Sequence, residues 1–209
     1  MRSISIYKRS LFIQPSKIEL RRFYRQQRND IPEQTRQEAA KAATHHLITH
    51  PLFKESERIA CYLAYQKELE TALLIQAIWK QQKKCYLPVL CEGKSLFFVH
   101  YNENDVLKPN CLSILEPENT ACKCCPETLD LVIVPLVAFD KEGHRLGAGG
   151  GYYDRAFAFL HNKNLQKKPI LLGYAYSNQE ATVLPADPWD VHLDGVVTEQ
   201  GVKLLARRD

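Results

Sequence analysis

The chain has 209 residues, 45% of them hydrophobic and 25% charged, with a formal net charge of +4. That suffices for one large domain with a sizeable core, and no apolar run is long enough to span a membrane. The mild positive balance suits an anionic small-molecule ligand and falls short of the dense basic stripe of a nucleic-acid binder, so neither nucleic acid nor membrane is expected as a partner.

Residues 1–15, MRSISIYKRSLFIQP, carry three basic and no acidic side chains and lack a continuous apolar core. They read as a short arm rather than a secretory signal, with a transit peptide as the alternative, and residues 16–209 are expected to form the domain. Ser16 is placed to N-cap a helix over KIELRRFYRQQR with a strongly basic outer face, and Pro32 opens a second helical run that closes at Pro51. His45, His46 and His50 fall late in that run, where cations complement the helix dipole. The i,i+4 pair His46 and His50 lacks the carboxylate motif that would favour a metal.

From there the chain alternates. RIACYLAY reads as a strand and TALLIQAIWKQQ as a helix capped by Thr71, followed by strands KCYLPVL and SLFFVHY around a Glu92–Gly93 turn. LDLVIVPLVAF is apolar and β-branched without alternation, the pattern of a strand buried on both faces. RAFAFLHNK reads as a helix, PILLGYAY and DGVVTE as strands, and QGVKLLARR as a closing helix. The expected fold class is therefore α/β, a mainly parallel central sheet flanked by helices in a single compact domain, with antiparallel excursions between residues 92 and 128.

Seven cysteines are an odd number in a chain that does not need disulfides. Cys61, Cys85 and Cys91 read as small buried side chains. CKCC, residues 122–125, has no second pair at zinc-site spacing and reads as an exposed loop of incidental thiols. A reducing, cytoplasmic setting follows.

The densest feature is RLGAGGGYYDR, residues 145–155, placed after the buried strand near Pro135 and before a helix starting around Asp154. Glycines 147, 149, 150 and 151 let consecutive N–H groups turn toward a phosphate, although the motif is neither a P-loop nor a dinucleotide fingerprint. Asp154 is either an N-cap or, beside bound phosphates, a Mg²⁺ ligand. Asp190 in PADPWDVHLD is a candidate second carboxylate, with Asp187 and Asp194 as local competitors. Arg145 could neutralise phosphate charge or form a salt bridge. Tyr152 and Tyr153 could pack on a flat heterocycle or fill the inner face of the helix.

VPLVAFDKEGHRLGAGGGYYDR resembles the signature of the 5-formyltetrahydrofolate cyclo-ligase family, and KIELR, YQKELET and LPADPWDVHLDGVVTE resemble three further family segments in order. The resemblance spans Lys17 to about Glu199. It implies ATP-dependent cyclisation of 5-formyltetrahydrofolate to 5,10-methenyltetrahydrofolate, with Mg²⁺ as cofactor, small molecules as the only partners, and a monomer. Transferred by position, Lys17, Arg21 and Arg145, Leu146, Gly147, Gly149, Gly150, Gly151, Tyr152 and Tyr153 would bind ATP. Leu63, Glu68, Gly149, Gly150, Gly151 and Tyr152 would bind the folate, Asp154 and Asp190 the metal, and Arg145 and Tyr152 would serve catalysis. Position 150 is Gly where some members carry Lys, which leaves phosphate contacts to amides and to Lys17, Arg21 and Arg145. A non-catalytic nucleotide- or folate-binding protein of the same fold is the alternative, and a sugar-phosphate isomerase would need a separate general base that no motif supplies.

Overall fold

A computed structural model describes residues 15–162, 164, 165 and 168–205. Most of the arm expected over residues 1–15 therefore lies outside the described residues. The first helix, α1 (Lys17–Asn29), begins at Ser16, whose hydroxyl accepts from Glu19 N–H while the Glu19 carboxylate accepts from Ser16 N–H. This reciprocal capping box satisfies two otherwise orphaned donors. The basic residues of α1 do not all form an outer face. Tyr24 and Arg28 are buried, whereas Ile18 and Phe23 are exposed.

Helix α2 (Glu33–Thr49) stops before Pro51, which starts a short α3 (Pro51–Glu55). The His50 ring accepts the Leu52 N–H at 3.2 Å, a capping task rather than a metal ligand's. Strand β1 is only Arg58–Ala60. Helix α4 (Ala72–Lys80) is not capped by the Thr71 side chain, because that hydroxyl donates to the Tyr62 carbonyl; the Glu70 carboxylate instead accepts from Thr71 N–H and Ala72 N–H. The remaining strands of the main sheet are β2 (Lys84–Cys91), β3 (Ser95–His100), β6 (Lys123–Cys124), β7 (Leu131–Val134), β10 (Ile170–Tyr174), β11 (Gly195–Thr198) and β12 (Gly201–Leu204). Two small antiparallel pairs stand apart, β4 (Leu107–Pro109) with β5 (Leu115–Pro117), and β8 (Ala138–Phe139) with β9 (Arg145–Leu146).

The main sheet runs β12-β11-β10-β7-β1-β2-β3-β6. Its centre, β11 through β2, is parallel, and antiparallel strands close both edges. Strand β7 shows why its sequence is uniformly apolar: Leu131 and Ile133 enter the core beneath α2 and α4, while Val132 and Val134 enter the core on the opposite face. Strands covered on both faces need no polar alternation.

Further expectations fail here. In place of the expected closing helix over residues 200–208, Gly201–Leu204 form strand β12, paired antiparallel with β11 across the Glu199–Gln200 turn, with residues 206–208 outside the described residues; the alternation of Val202, Lys203 and Leu204 fits an edge strand as well as a helix face. The expected helix over residues 155–163 is instead α5 (Tyr152–Ala156) followed by a 3-10 turn, Ala158–His161, with residue 163 outside the described residues. Among the cysteines, Cys61 and Cys85 are buried as expected, but Cys91, at the end of β2, is exposed. In CKCC, Cys124 is buried against Thr128 and the other two thiols are exposed.

Candidate active site

A cleft of about 950 Å³ opens at the carboxyl ends of the parallel strands. Tyr62 and Leu63 follow β1, Pro88 and Leu90 lie near the end of β2, and Pro135 to Val137 follow β7. The chain leaves β1 toward β2 on one side and reaches β7 on the other, so the cleft lies where the strand order reverses, the usual ligand crevice of an open α/β sheet.

The glycine loop does not follow the buried strand directly. The β8–β9 hairpin intervenes and is organised by Asp140, which is fully buried. Its carboxylate accepts from the N–H groups of Glu142, His144 and Leu184 at 2.9–3.0 Å and contacts His144 Nδ1 at 2.9 Å. The amide of Asp140→Asn would turn a donor toward one of these donors. We expect a loss of about 1–3 kcal/mol in urea denaturation, since buried groups left unpaired cost this much. Unchanged stability would show that the hairpin does not depend on this carboxylate.

After the hairpin, Gly151 holds φ +66°, a left-handed conformation that starts α5 three residues earlier than Asp154 would. Asp154 is therefore inside the first turn and not the N-cap. With five residues, α5 contributes little helix dipole, so an anion here would rely on the loop and on side chains. Gly150 has a different reason to be glycine: a Cβ there would sit 2.4 Å from the Tyr152 ring, which folds back against the loop.

Helix α1 supplies those side chains. Lys17, Arg21 and Arg25 lie at successive i,i+4 positions and Arg28 three further on, so they form one stripe that reaches three walls of the cleft. Lys17 Nζ donates to Asp187 and Asp190 at 2.7 Å each. Arg21 Nε donates to the Gly147 carbonyl at 2.9 Å and Arg25 Nη2 to the Ala148 carbonyl at 3.1 Å. Arg28 Nη2 donates to the Gln66 carbonyl at 3.0 Å, and its Nη1 lies 3.9 Å from Glu68.

The carboxylates form a second group. Asp154 accepts from Arg145 Nη2 at 2.6 Å and from Val191 N–H at 3.1 Å. Burial pushes the Arg145 guanidinium below the usual arginine range, against the opposing pull of Asp154. For Asp190 burial acts upward, but the Asp187 N–H and the Lys17 ammonium outweigh it and hold the carboxyl below its usual range. Asp194, the other local competitor, accepts the Leu171 N–H at 2.8 Å and so serves the sheet. Tyr153 stacks on Phe157 at 6.1 Å between ring centres, and burial drives its phenol strongly upward.

Every residue to which the sequence assigned a ligand role lines this one cleft: Lys17, Arg21, Leu63, Glu68, Arg145, Leu146, the four glycines, Tyr152, Tyr153, Asp154 and Asp190. Sequence reasoning missed Arg25, Arg28 and Arg155, and the apolar wall of Leu112, Ile114 and Leu115. The first two continue the spacing of Lys17 and Arg21, a signal that was present. Arg155, whose Nη2 donates to the Gly150 carbonyl, lies within the glycine motif, whereas the apolar wall comes from the β4–β5 excursion and carries no local mark.

Fold and cleft together gather a glycine loop, a basic helical stripe and an apolar wall around the ligand crevice of an α/β sheet. The chain belongs to the 5-formyltetrahydrofolate cyclo-ligase family, whose model matches residues 13–199. It is 37% identical over 182 residues to the 5-formyltetrahydrofolate cyclo-ligase of Escherichia coli K12, covering 85% of this chain and 97% of that one. It is 38% identical over 159 residues to that of Haemophilus influenzae, covering 75% and 83%. The solved 5,10-methenyltetrahydrofolate synthetase of Aquifex aeolicus superposes with a TM-score of 0.78 at 33% identity, over 92% of this chain and 94% of that one. Membership makes the chain an enzyme, a cyclo-ligase.

Proposed function

We propose that this cleft converts 5-formyltetrahydrofolate and ATP to 5,10-methenyltetrahydrofolate, ADP and phosphate. The observation that carries the reading is convergence: Lys17, Glu68, Arg145 and Asp190, far apart in sequence, line one cleft around the glycine loop. A formamide oxygen is a poor leaving group. Transfer of the γ-phosphoryl group of ATP to that oxygen gives an iminium-like phosphate; N10 attacks the formyl carbon, phosphate departs, and the N10 proton leaves to solvent. The protein's contribution is to position the partners and stabilise charge.

In this reading the backbone amides of Gly147 to Gly151, with Lys17, Arg21 and Arg145, hold the phosphates. Arg155 adds positive charge beside Gly150, where the chain has no lysine. Leu63, Glu68 and Tyr152 face the folate, Glu68 accepting from its pterin N–H groups.

A divalent cation suits the carboxylate end. Asp190 and the neighbouring Asp187 already share one cation, the Lys17 ammonium, and Mg²⁺ needs only one or two carboxylates when phosphates supply further oxygens. Among the described residues no three His, Cys, Asp or Glu side chains form a self-sufficient metal cage, which fits a cation that arrives with nucleotide. Asp154 and Asp190 would hold Mg²⁺, which neutralises phosphate charge. We read the protein as a cytoplasmic monomer; no helix among the described residues is long and apolar enough to cross a membrane.

The test is direct. Protein incubated with 5-formyltetrahydrofolate, ATP and Mg²⁺ should generate the near-ultraviolet absorbance of the methenyl product, with ADP formed one for one. Binding of both ligands without product would favour the non-catalytic alternative.

A further inference from the structure

Arg28 is 4% exposed, yet it lines the cleft, and its Nε and Nη1 make no hydrogen bond. Buried guanidinium donors left unpaired are costly and call for a reason. Its one direct bond, from Nη2 to the Gln66 carbonyl, reaches a turn whose backbone is itself unusual. Gln66 and Lys67 hold φ +47° and +62°, a region non-glycine residues rarely occupy. That turn is pinned again where Lys67 Nζ donates to the Asn29 carbonyl at 2.8 Å, at the end of α1. It closes on itself through Glu68 N–H to the Tyr65 carbonyl and Tyr65 N–H to the Glu68 carboxylate, both at 3.1 Å. The result is a turn held in a costly shape whose one cleft-facing carboxylate stands 3.9 Å from Arg28 Nη1. Strain of this kind persists when surrounding contacts over-determine it, and it marks positions where geometry matters for function.

We propose that Arg28 is a positioning residue for the pterin end of the folate: it holds the 65–68 turn in place and keeps the Glu68 side chain a carboxylate aimed at the ring's N–H donors. This rests on the reading of Glu68 as a folate contact. Arg28 touches neither the phosphates nor the reacting formyl group in this role, so it acts through Glu68.

The electrostatics agree with the geometry. Burial pushes the Glu68 carboxyl upward, and the Tyr65 N–H, Arg28 and, more weakly, Arg25 oppose it. The other titratable groups facing it are the phenols of Tyr62 and Tyr153, both driven upward by burial and thus neutral near neutral pH. Without Arg28, Glu68 would protonate at higher pH and cease to accept from two donors at once.

The test is binding of 5-formyltetrahydrofolate to the whole protein by calorimetry from mildly acidic to neutral pH, beside separate KM values for folate and ATP. Arg28→Met is expected to weaken folate about tenfold, the scale of a hydrogen bond to a charged group. The ATP KM should stay within about twofold, and the pH below which folate binding fails should move upward. Arg28→Lys, which restores the charge, should move that limb back toward its original position. In a Glu68→Gln background, Arg28→Met should add little further loss. If Arg28→Met does not fold, Arg28→Gln takes its place, with thermal unfolding as the check. The proposal falls if folded Arg28 variants bind folate normally, weaken both substrates alike, or keep their full effect in the Glu68→Gln background. If Glu68→Gln alone binds folate normally, the reading of Glu68 fails, and the role of Arg28 fails with it for that separate reason.

Discussion

Arg145→Met is expected to lower kcat by roughly 10²–10³, the usual consequence of removing one preorganised donor at a site of developing charge. Arg145 is 9% exposed, and its guanidinium is held by Asp154 at 2.6 Å and keeps its Nε without a hydrogen bond. It is thus fixed before any ligand arrives, and in the proposed phosphoryl transfer it would need no reorganisation. The same burial makes the pair structural. Arg145→Met leaves Asp154 with the Val191 N–H and partial solvent, whereas Asp154→Asn leaves a buried cation without its anion. We expect Asp154→Asn to be the more destabilising, by about 3 kcal/mol or more, and the double variant to lose less than the sum. Asp154→Ala would likewise confound folding with metal use. Urea denaturation with single-turnover kinetics separates the two effects. An Arg145→Met enzyme that turns over within about threefold of the parent would remove Arg145 from the catalytic centre.

Lys17→Met has two expected effects of opposite sign. The ATP KM should rise by about tenfold or more, because a charge-assisted contact to phosphate is lost. The affinity of the nucleotide-free protein for Mn²⁺, read by electron paramagnetic resonance, should also rise, because the Lys17 ammonium competes for the carboxylates of Asp187 and Asp190. A fall in Mn²⁺ affinity would show that the Lys17 ammonium does not compete with the cation for Asp190. The Lys17–Asp190 contact also sets a pH limit. The Asp190 carboxyl lies below its ordinary value, so its contribution to stability is present above the unfolded-state pKa and lost as pH falls through the folded one. Burial acts to lower the Lys17 pKa, but its bonds to the two aspartates raise it overall, so its share is lost only in strongly alkaline solution. Both groups are partly exposed, and the energies involved are correspondingly small.

Much of the fold was legible because its signals are local. The Ser16 capping box, the helix stop before Pro51 and the uniformly apolar β7 each depend on a few neighbouring residues whose chemistry admits few alternatives. The C-terminal segment was misread for a related reason: the stretch from Gly201 to Leu204 suits a helix or an edge strand, and only the open edge of β11 selected the strand. Thr71 was assigned a cap from its position, but its hydroxyl is taken by the Tyr62 carbonyl, a partner nine residues away.

The site divides in the same way. Residue types and spacing within RLGAGGGYYDR and KIELR determined by themselves that this protein carries a glycine loop and a basic helical stripe, and the resemblance they carry pointed to the family. Sequence could not say where each cation goes, because a side chain four residues along a helix may face solvent, a carbonyl or a ligand. Tertiary packing decided that Lys17 meets Asp187 and Asp190, that Arg21 and Arg25 hold the glycine loop, and that Arg28 is buried beneath Glu68. Those assignments arise from segments more than a hundred residues apart closing on one helix, or in Arg28's case from the turn after β1. Burial then sets the strength of each charge, a property that no short stretch of sequence contains.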